Sequence, residues 1–441
     1  MEKHWDRLDN AAKIFPASTN SRDTKVFRFA CELYENVECD VLQKALDNTI
    51  IGFPNFCVVM KRGAFWYYLE RSEIRPVIRE EYKRPCGKIY DRDVKKLLFE
   101  VTYFKKRINL EVYHTLTDGT GAVQFLKTLV VNYITLKHKE EFKNVVPEID
   151  YDASIFQKRS DSFQKYYDKN SKKTSKLKYA YKLKGEKIDN NSLKIIEGII
   201  PLDKALEIAH QYKCSLTALI GGIFVKAVYD EMDFKDKSKS INLDVPVNLR
   251  KYFESASSRN FFAVMNFEYK GMSELKEFID YTGSKLKKEL TQDELKKRMN
   301  ALISVEKNIG IKFVPLFIKN IVLNLSVKIA EMGETISLSN VGAISMPKEV
   351  ESYIKMFDMM VSTSGMQACM CSYENNLVLT FSSVFKNTEI QKRVFRTLSE
   401  LGLEITVEAN VIDEGTWKCE LLSEMQGKHK RGGWIVPIMP K

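Results

Sequence analysis

A two-lobed α/β protein is what the sequence predicts, and three observations carry that expectation. The chain has 441 residues, too many for one ordinary hydrophobic core. Strand-like apolar runs alternate with stretches of helical apolar spacing on both sides of a polar middle. That middle, residues 140–187, is charged and lacks clear periodicity, and so reads as a connection between two bodies. The expected division is 1–145 for a first lobe, 146–190 for a lysine-rich crossover, 191–405 for a second lobe and 406–441 for a C-terminal extension.

The first lobe opens with a short apolar segment, residues 5–15, stopped at Pro16. Residues 26–33 have the character of a strand, and 39–49 that of a helix with Val41, Leu42, Ala45 and Leu46 on one face. Two hairpins follow, 55–60 with 65–69 and 97–104 with 108–113. The second hairpin ends at His114. After a turn containing Asp118 and Gly119, the residues Ala122, Val123, Phe125, Leu126, Leu129 and Val130 recur at helical spacing. A strand, a tight turn and a helix thus hold an imidazole at the end of a sheet.

In the second lobe, strands are expected at 195–200, 241–247, 261–269, 336–339, 359–370 and 376–383, and helices at 201–212, 215–231, 273–308, 313–332 and 389–401. The strand at 241–247 ends in Pro246-Val-Asn-Leu-Arg250. The helix at 313–332 is the most apolar region of the chain. Pro315, Lys319, Asn320, Asn324 and Lys328 interrupt it, so it falls short of the ~20 apolar residues that a membrane span needs. With a charged start and no apolar leader core, the expectation is a soluble, cytoplasmic protein with no membrane span. Eight cysteines scattered without CxxC spacing agree with a reducing compartment, and no metal site is expected.

The net charge of +11 favours anionic ligands in general. Its densest stretch, residues 169–187, sets eight lysines against the single acid Glu186. No zinc finger, helix-turn-helix or aromatic RNA-binding strand accompanies it, so nucleic acid is not expected as a partner and a solvated crossover is.

For His114 three readings stand open on the residues alone. It can be a structural histidine at a turn, half of a His–Asp metal pair that lacks a third ligand, or a general base, since imidazole with a pKa near ~6.5 holds a neutral fraction at neutral pH. Asp118, four residues on, can either bond the ring or hold the turn through an arginine elsewhere.

His114-Thr-Leu-Thr-Asp118-Gly119 resembles the HxxxDG signature of the CoA-dependent acyltransferase superfamily, which includes chloramphenicol acetyltransferase, alcohol acetyltransferases and the condensation domains of nonribosomal peptide synthesis. Residues 5–15 resemble the opening of bacterial alcohol acetyltransferase-like members. Pro246 to Arg250, Arg259-Asn260-Phe261 and Ile336-Ser-Leu-Ser-Asn340-Val-Gly342 resemble further family stretches, in the same order, so the resemblance covers residues 5–405. It implies two chloramphenicol-acetyltransferase-like lobes of mixed sheets flanked by helices, with an active-site tunnel between them. It also implies His114 as general base, Asp118 with Gly119 as architecture, Arg250 as the partner of Asp118, and Ser339 or Asn340 as oxyanion or substrate contacts. Acyl-CoA is then a co-substrate with no permanently bound cofactor, and a small alcohol or amine is the acceptor. The expected reaction is acetyl transfer to an alcohol. A donor on an acyl carrier protein, as in lipopeptide, polyketide or glycolipid assembly, and a non-catalytic binding protein of the same fold are the alternatives. Tyr113 stands where condensation domains carry a further histidine, which favours a stand-alone transferase, and Arg259 stands where glycine is usual.

Overall fold

A computed structural model describes residues 5–149, 161–168, 179–306, 313–410 and 436–437. Three sheets organise them. The first lobe is built on five strands in the order Ile354–Val361, Val26–Leu33, Arg107–Tyr113, Phe99–Phe104 and Arg79–Glu80. The second is built on eight, in the order Phe262–Tyr269, Ile241–Asn248, Ile336–Ala343, Met366–Tyr373, Asn376–Ser383, Lys194–Pro201, Thr406–Ala409 and Val436–Pro437. A small third sheet joins Trp5–Arg7, Tyr67–Arg71 and Val58–Arg62.

Both large sheets are mixed. In the second, Ile336–Ala343 runs parallel to its two neighbours, Ile241–Asn248 and Met366–Tyr373, while the other pairings are antiparallel. Helices Cys39–Gly52 and Gly119–Lys137 lie together on the first lobe and share an apolar core with its sheet. Helix Leu216–Glu231 is apolar on nearly every side because it is enclosed, with Leu275–Glu289 over it and the second sheet beneath.

One expected element divides in two. Residues 359–370 do not form a single strand: Ile354–Val361 belongs to the first lobe's sheet and Met366–Tyr373 to the second's. The break falls at Ser362-Thr-Ser-Gly365, where the Thr363 hydroxyl accepts from the Gly365 amide at 3.1 Å and the Ser362 hydroxyl bonds Asp23 at 3.0 Å. Local serine and threonine bonds of this kind replace ladder bonds and turn the chain. The 273–308 region likewise divides into Leu275–Glu289 and Gln292–Glu306. Residues 336–339 extend to Ala343 through a bulge at Asn340/Gly342, with Gly342 at φ +91°. The expected extension beyond 405 begins with Thr406–Ala409, which pairs with Lys194–Pro201 inside the second sheet. Of the lysine-rich stretch, residues 169–178 lie outside the described residues, as does Cys419. The other seven cysteines are free thiols.

Candidate active site

Strand Arg107–Tyr113 ends where the last pairing with Val26–Leu33, Val26 opposite Tyr113, gives out. The His114 amide then donates to the Lys25 carbonyl at 2.8 Å, and the Leu116 amide turns back to the Tyr113 carbonyl at 2.9 Å. His114 is thereby fixed at the strand's end, half-buried. Its ring stacks on Phe15 at 4.4 Å between centroids and meets Phe27 edge-on at 5.0 Å, with Phe262 at 5.5 Å. Phe262 begins an edge strand of the second lobe's sheet, so the imidazole sits where one lobe's strand end meets the other lobe's edge.

Asp118 does not touch the ring. It caps helix Gly119–Lys137, its Oδ1 accepting from the Gly121 amide at 3.2 Å. Its Oδ2 accepts from Arg250 Nη1 at 2.7 Å and from the Phe261 amide at 2.8 Å. Arg250 also donates to the Ser257 carbonyl at 3.0 Å and to the Arg259 carbonyl. One carboxylate and one guanidinium therefore hold the loop 257–261 against the start of the helix. The expected Asp118–Arg250 pair exists, and its work is to place the residue between its anchors, Asn260.

Asn260 is what orients the histidine. Its amide nitrogen donates to the His114 carbonyl at 3.1 Å and to Asp9 Oδ2 at 3.2 Å, and its Oδ1 lies 3.0 Å from His114 Nδ1. The His114 carbonyl can only accept, so the amide nitrogen must face it and Oδ1 must face the ring. A carbonyl oxygen can only accept too, so the proton sits on Nδ1 and the lone pair on Nε2. Among the described residues Nε2 has no hydrogen-bond partner. Burial pushes the imidazole pKa below its ordinary 6.5, against the opposing pull of its own carbonyl, Asp118 and Asn260. A neutral ring with Nε2 basic is the form that accepts protons near neutrality.

Behind Asn260 stands Asp9, which the sequence reading missed. Its carboxylate is fully buried, accepts from the Ala12 amide at 2.8 Å and lies 3.7 Å from Arg259 Nε, while burial pushes its pKa up. Arg259, where glycine was the family expectation, also donates to the Arg7 carbonyl and so ties the N-terminal segment to the site. An aspartate within the apolar segment Leu8 to Phe15 was the available signal.

The remaining expected residues divide. A Cβ on Gly119 would meet only Phe29, at 3.6 Å, whereas one on Gly121 would lie 2.1 Å from Thr117 Oγ1 and 2.4 Å from the Ser258 carbonyl. The close helix–loop approach therefore depends on Gly121. Ser339 and Asn340 lie on a strand running parallel to the one that leads to Arg250, and a Cβ at Gly342 would lie 3.9 Å from Lys251 Nζ. That end of the strand is close to the Arg250 turn. Asn340 is exposed; its amide donates to Thr217 at 2.8 Å and its Oδ1 accepts from the Gly342 amide at 2.8 Å.

A second polar network lies between the large sheets. Arg28 pairs with Glu81 at 2.6 Å and Glu111 at 2.9 Å; Arg107 pairs with Asp358 at 2.8 Å and with Glu197 and Glu32 at 3.2 Å. Burial pushes Asp358 up to about 8 in spite of Arg107. For Glu111 burial is outweighed by Arg28, Lys83 and the Cys86 amide, which hold the carboxyl below its ordinary value. A cavity of about 40 Å³, room for little more than water, lies here. A more open one lies by Tyr166, Phe253 and Lys296. His114 lines neither of them.

No family model matches the sequence, and no curated protein matches it. Solved structures do. TRI101 of Fusarium graminearum, in complex with coenzyme A and T-2 mycotoxin, superposes with a TM-score of 0.60 at 11% identity, over 91% of this chain and 99% of that one. The TRI3 trichothecene 15-O-acetyltransferase of Fusarium sporotrichioides gives 0.57 at 12% identity, over 90% and 94%. A starter condensation domain of rhizomide synthetase RzmA, in complex with C8-CoA and Leu-SNAC, gives 0.60 at 10% identity, over 90% and 94%. The chain has the chloramphenicol acetyltransferase-like fold. The two lobes, the mixed sheets and the flanking helices are those expected from the motifs. Among the described residues no helix is long and apolar enough to cross a membrane, and no group of three acidic, histidine or cysteine side chains is placed to hold a metal ion.

Proposed function

We propose that the chain is an acyltransferase that moves an acyl group, acetyl in the first instance, from acyl-CoA to the hydroxyl of a small alcohol, with His114 as general base. The observation that carries this reading is the Asn260–His114 bond, which leaves Nε2 basic at the junction of the lobes. In this mechanism Nε2 takes the hydroxyl proton as the oxygen attacks the thioester carbonyl. The tetrahedral oxyanion collapses, and the proton passes from the imidazolium to the departing CoA thiolate. Asp118 and Arg250 hold the loop that carries Asn260 and do no proton chemistry. For the oxyanion, Ser339 and Asn340 are the candidate donors on this strand, Asn340 giving one of its two amide N–H groups to Thr217 and keeping the other, in a role worth about 3 kcal/mol. The complexes of TRI101 with coenzyme A support a CoA donor, and the likeness to condensation domains makes a carrier-bound donor the second reading.

The test is thiol release from acetyl-CoA with a panel of alcohols and amines, run with the wild type and His114→Ala. Acceptor-dependent release that the substitution abolishes supports the proposal. Turnover of acyl groups only from a carrier protein selects the second reading. Equal background rates with every donor and acceptor would leave a binding protein of the same fold.

A further inference from the structure

Helix Leu316–Glu331 has its polarity reversed. Surface helices of water-soluble domains turn apolar residues inward and polar ones outward. Here, beyond the buried Leu316, the residues that hold the helix to the body are polar: Lys319 donates to the Phe65 carbonyl at 3.0 Å, Asn320 to the Tyr67 hydroxyl at 3.0 Å and Asn324 to the Ala17 carbonyl at 2.8 Å. The outward face carries Phe317, Ile318, Ile321, Val322 and Leu325, exposed by 40 to 66%. Their spacing of three, four and seven residues makes one continuous apolar stripe. Three of the interruptions that keep this region from reading as a membrane span, Lys319, Asn320 and Asn324, are therefore its inward anchors.

From this reversal we infer that the helix is a docking face for an anionic lipid surface, entering the headgroup layer with its axis in the membrane plane. Three features select that occupant. The stripe is bordered by the hairpin tip, where Phe65 is 43% exposed and the half-buried Lys13 lies 5.2 Å from the Trp66 ring. Aromatic rings with lysines at the edge of an apolar face are suited to the boundary between acyl chains and headgroups. The last turn of the helix carries an exposed Lys328 before the half-buried Glu331 that ends it, and the whole chain carries +11. A chain of that charge is repelled by a second copy of itself and attracted by anionic lipid. The face also has a short path to the site, because Asn324 holds Ala17 in helix Phe15–Ser18, whose Phe15 stacks on His114.

The experiment is flotation of the full chain with vesicles of phosphatidylcholine alone and of equal parts phosphatidylcholine and phosphatidylglycerol, for the wild type and Ile321→Asp/Leu325→Asp. Both positions are exposed, and a thermal melt of the variant checks that it is folded. The wild type is expected to float with the mixed vesicles and to be released by salt, and the variant to lose at least ~10-fold in partitioning. A wild type that stays unbound, a variant that floats as well as the wild type, or equal binding to phosphatidylcholine alone overturns the assignment. Light scattering that finds a dimer in the wild type but a monomer in the variant, without vesicle binding, gives the face to a second copy instead. Thiol release with a short water-soluble alcohol is expected to be the same in both proteins, so this result and that of the acyl-transfer test are read separately.

Discussion

Around His114 a chain of partners, Asp9, Asn260, Asp118 and Arg250, ends at a ring nitrogen with no partner among the described residues. Around Arg107 three carboxyl groups, Asp358, Glu197 and Glu32, crowd one guanidinium, and Asp358 Oδ1 is left buried without a hydrogen bond among the described residues to orient it. Both networks lie where the lobes meet, and both contain titratable groups that burial pushes away from their ordinary pKa. What separates them is that Asn260 fixes the ring around the open His114 nitrogen, whereas nothing among the described residues orients the open Asp358 oxygen. A perturbed pKa marks burial, and chemistry additionally requires an atom that neighbours have oriented but not consumed.

The largest expected effect comes from removing that atom. His114→Ala should lower kcat for acyl transfer by about 10²–10⁴-fold while the variant still folds cooperatively, measured by thiol release and calorimetry. The opposite pattern is expected at Arg107: its replacement by alanine strands Asp358 and Glu197 in the interior and should cost about 3–5 kcal/mol in denaturant unfolding, while any folded fraction keeps its activity. Asn260→Ala tests the link between network and base. It should retain the fold and lose about 10²-fold in kcat, because the ring is no longer held in one tautomer and orientation.

The pH dependences separate the two networks further. The neutral His114 ring is depressed in pKa, so the unfolded chain takes up its proton first as pH falls. Activity and this group's share of stability should be complete above ~6.5 and decline at lower pH, with the acid limb of kcat/KM below that value. Asp358 has the opposite sign. Its raised pKa means that the folded state holds a proton the unfolded state has released, so stability should fall as pH rises from ~4 toward 8, and Asp358→Asn should flatten that slope in thermal melts. The smallest contrast is between two glycines: Gly121→Ala should destabilise by about 1–3 kcal/mol through its clash with Thr117 and Ser258, and Gly119→Ala should be nearly neutral.

The fold was legible in the sequence wherever periodicity was long and punctuated. His114 at a strand's end, Asp118 before a helix and Arg250 after Pro246 carried enough local pattern to be named. Asn260 was noticed only as part of a family step, because nothing in its neighbours says that its amide will reach back to residue 114. Asp9 was missed for the same reason: its partners, Asn260 and Arg259, are some 250 positions away, and burial of a carboxylate is decided by tertiary contacts. The ion pair Arg28–Glu111 left a trace, a charge in the middle of each of two apolar strands that turn out to face each other across the sheet. The division of 359–370 left Ser362-Thr-Ser-Gly365, four residues with turn chemistry inside an otherwise continuous apolar run.

Strand Ile354–Val361 has a consequence for how the molecule is made. It completes the first lobe's sheet beside Val26–Leu33, more than 300 positions upstream, and its end bonds the second sheet where the Val361 amide donates to Ser382. A ribosome releasing the chain from its N-terminus exposes an unpaired sheet edge until most of the protein has emerged. The first lobe therefore waits for the second half of the chain, and a fragment cut at the crossover would carry that open edge permanently.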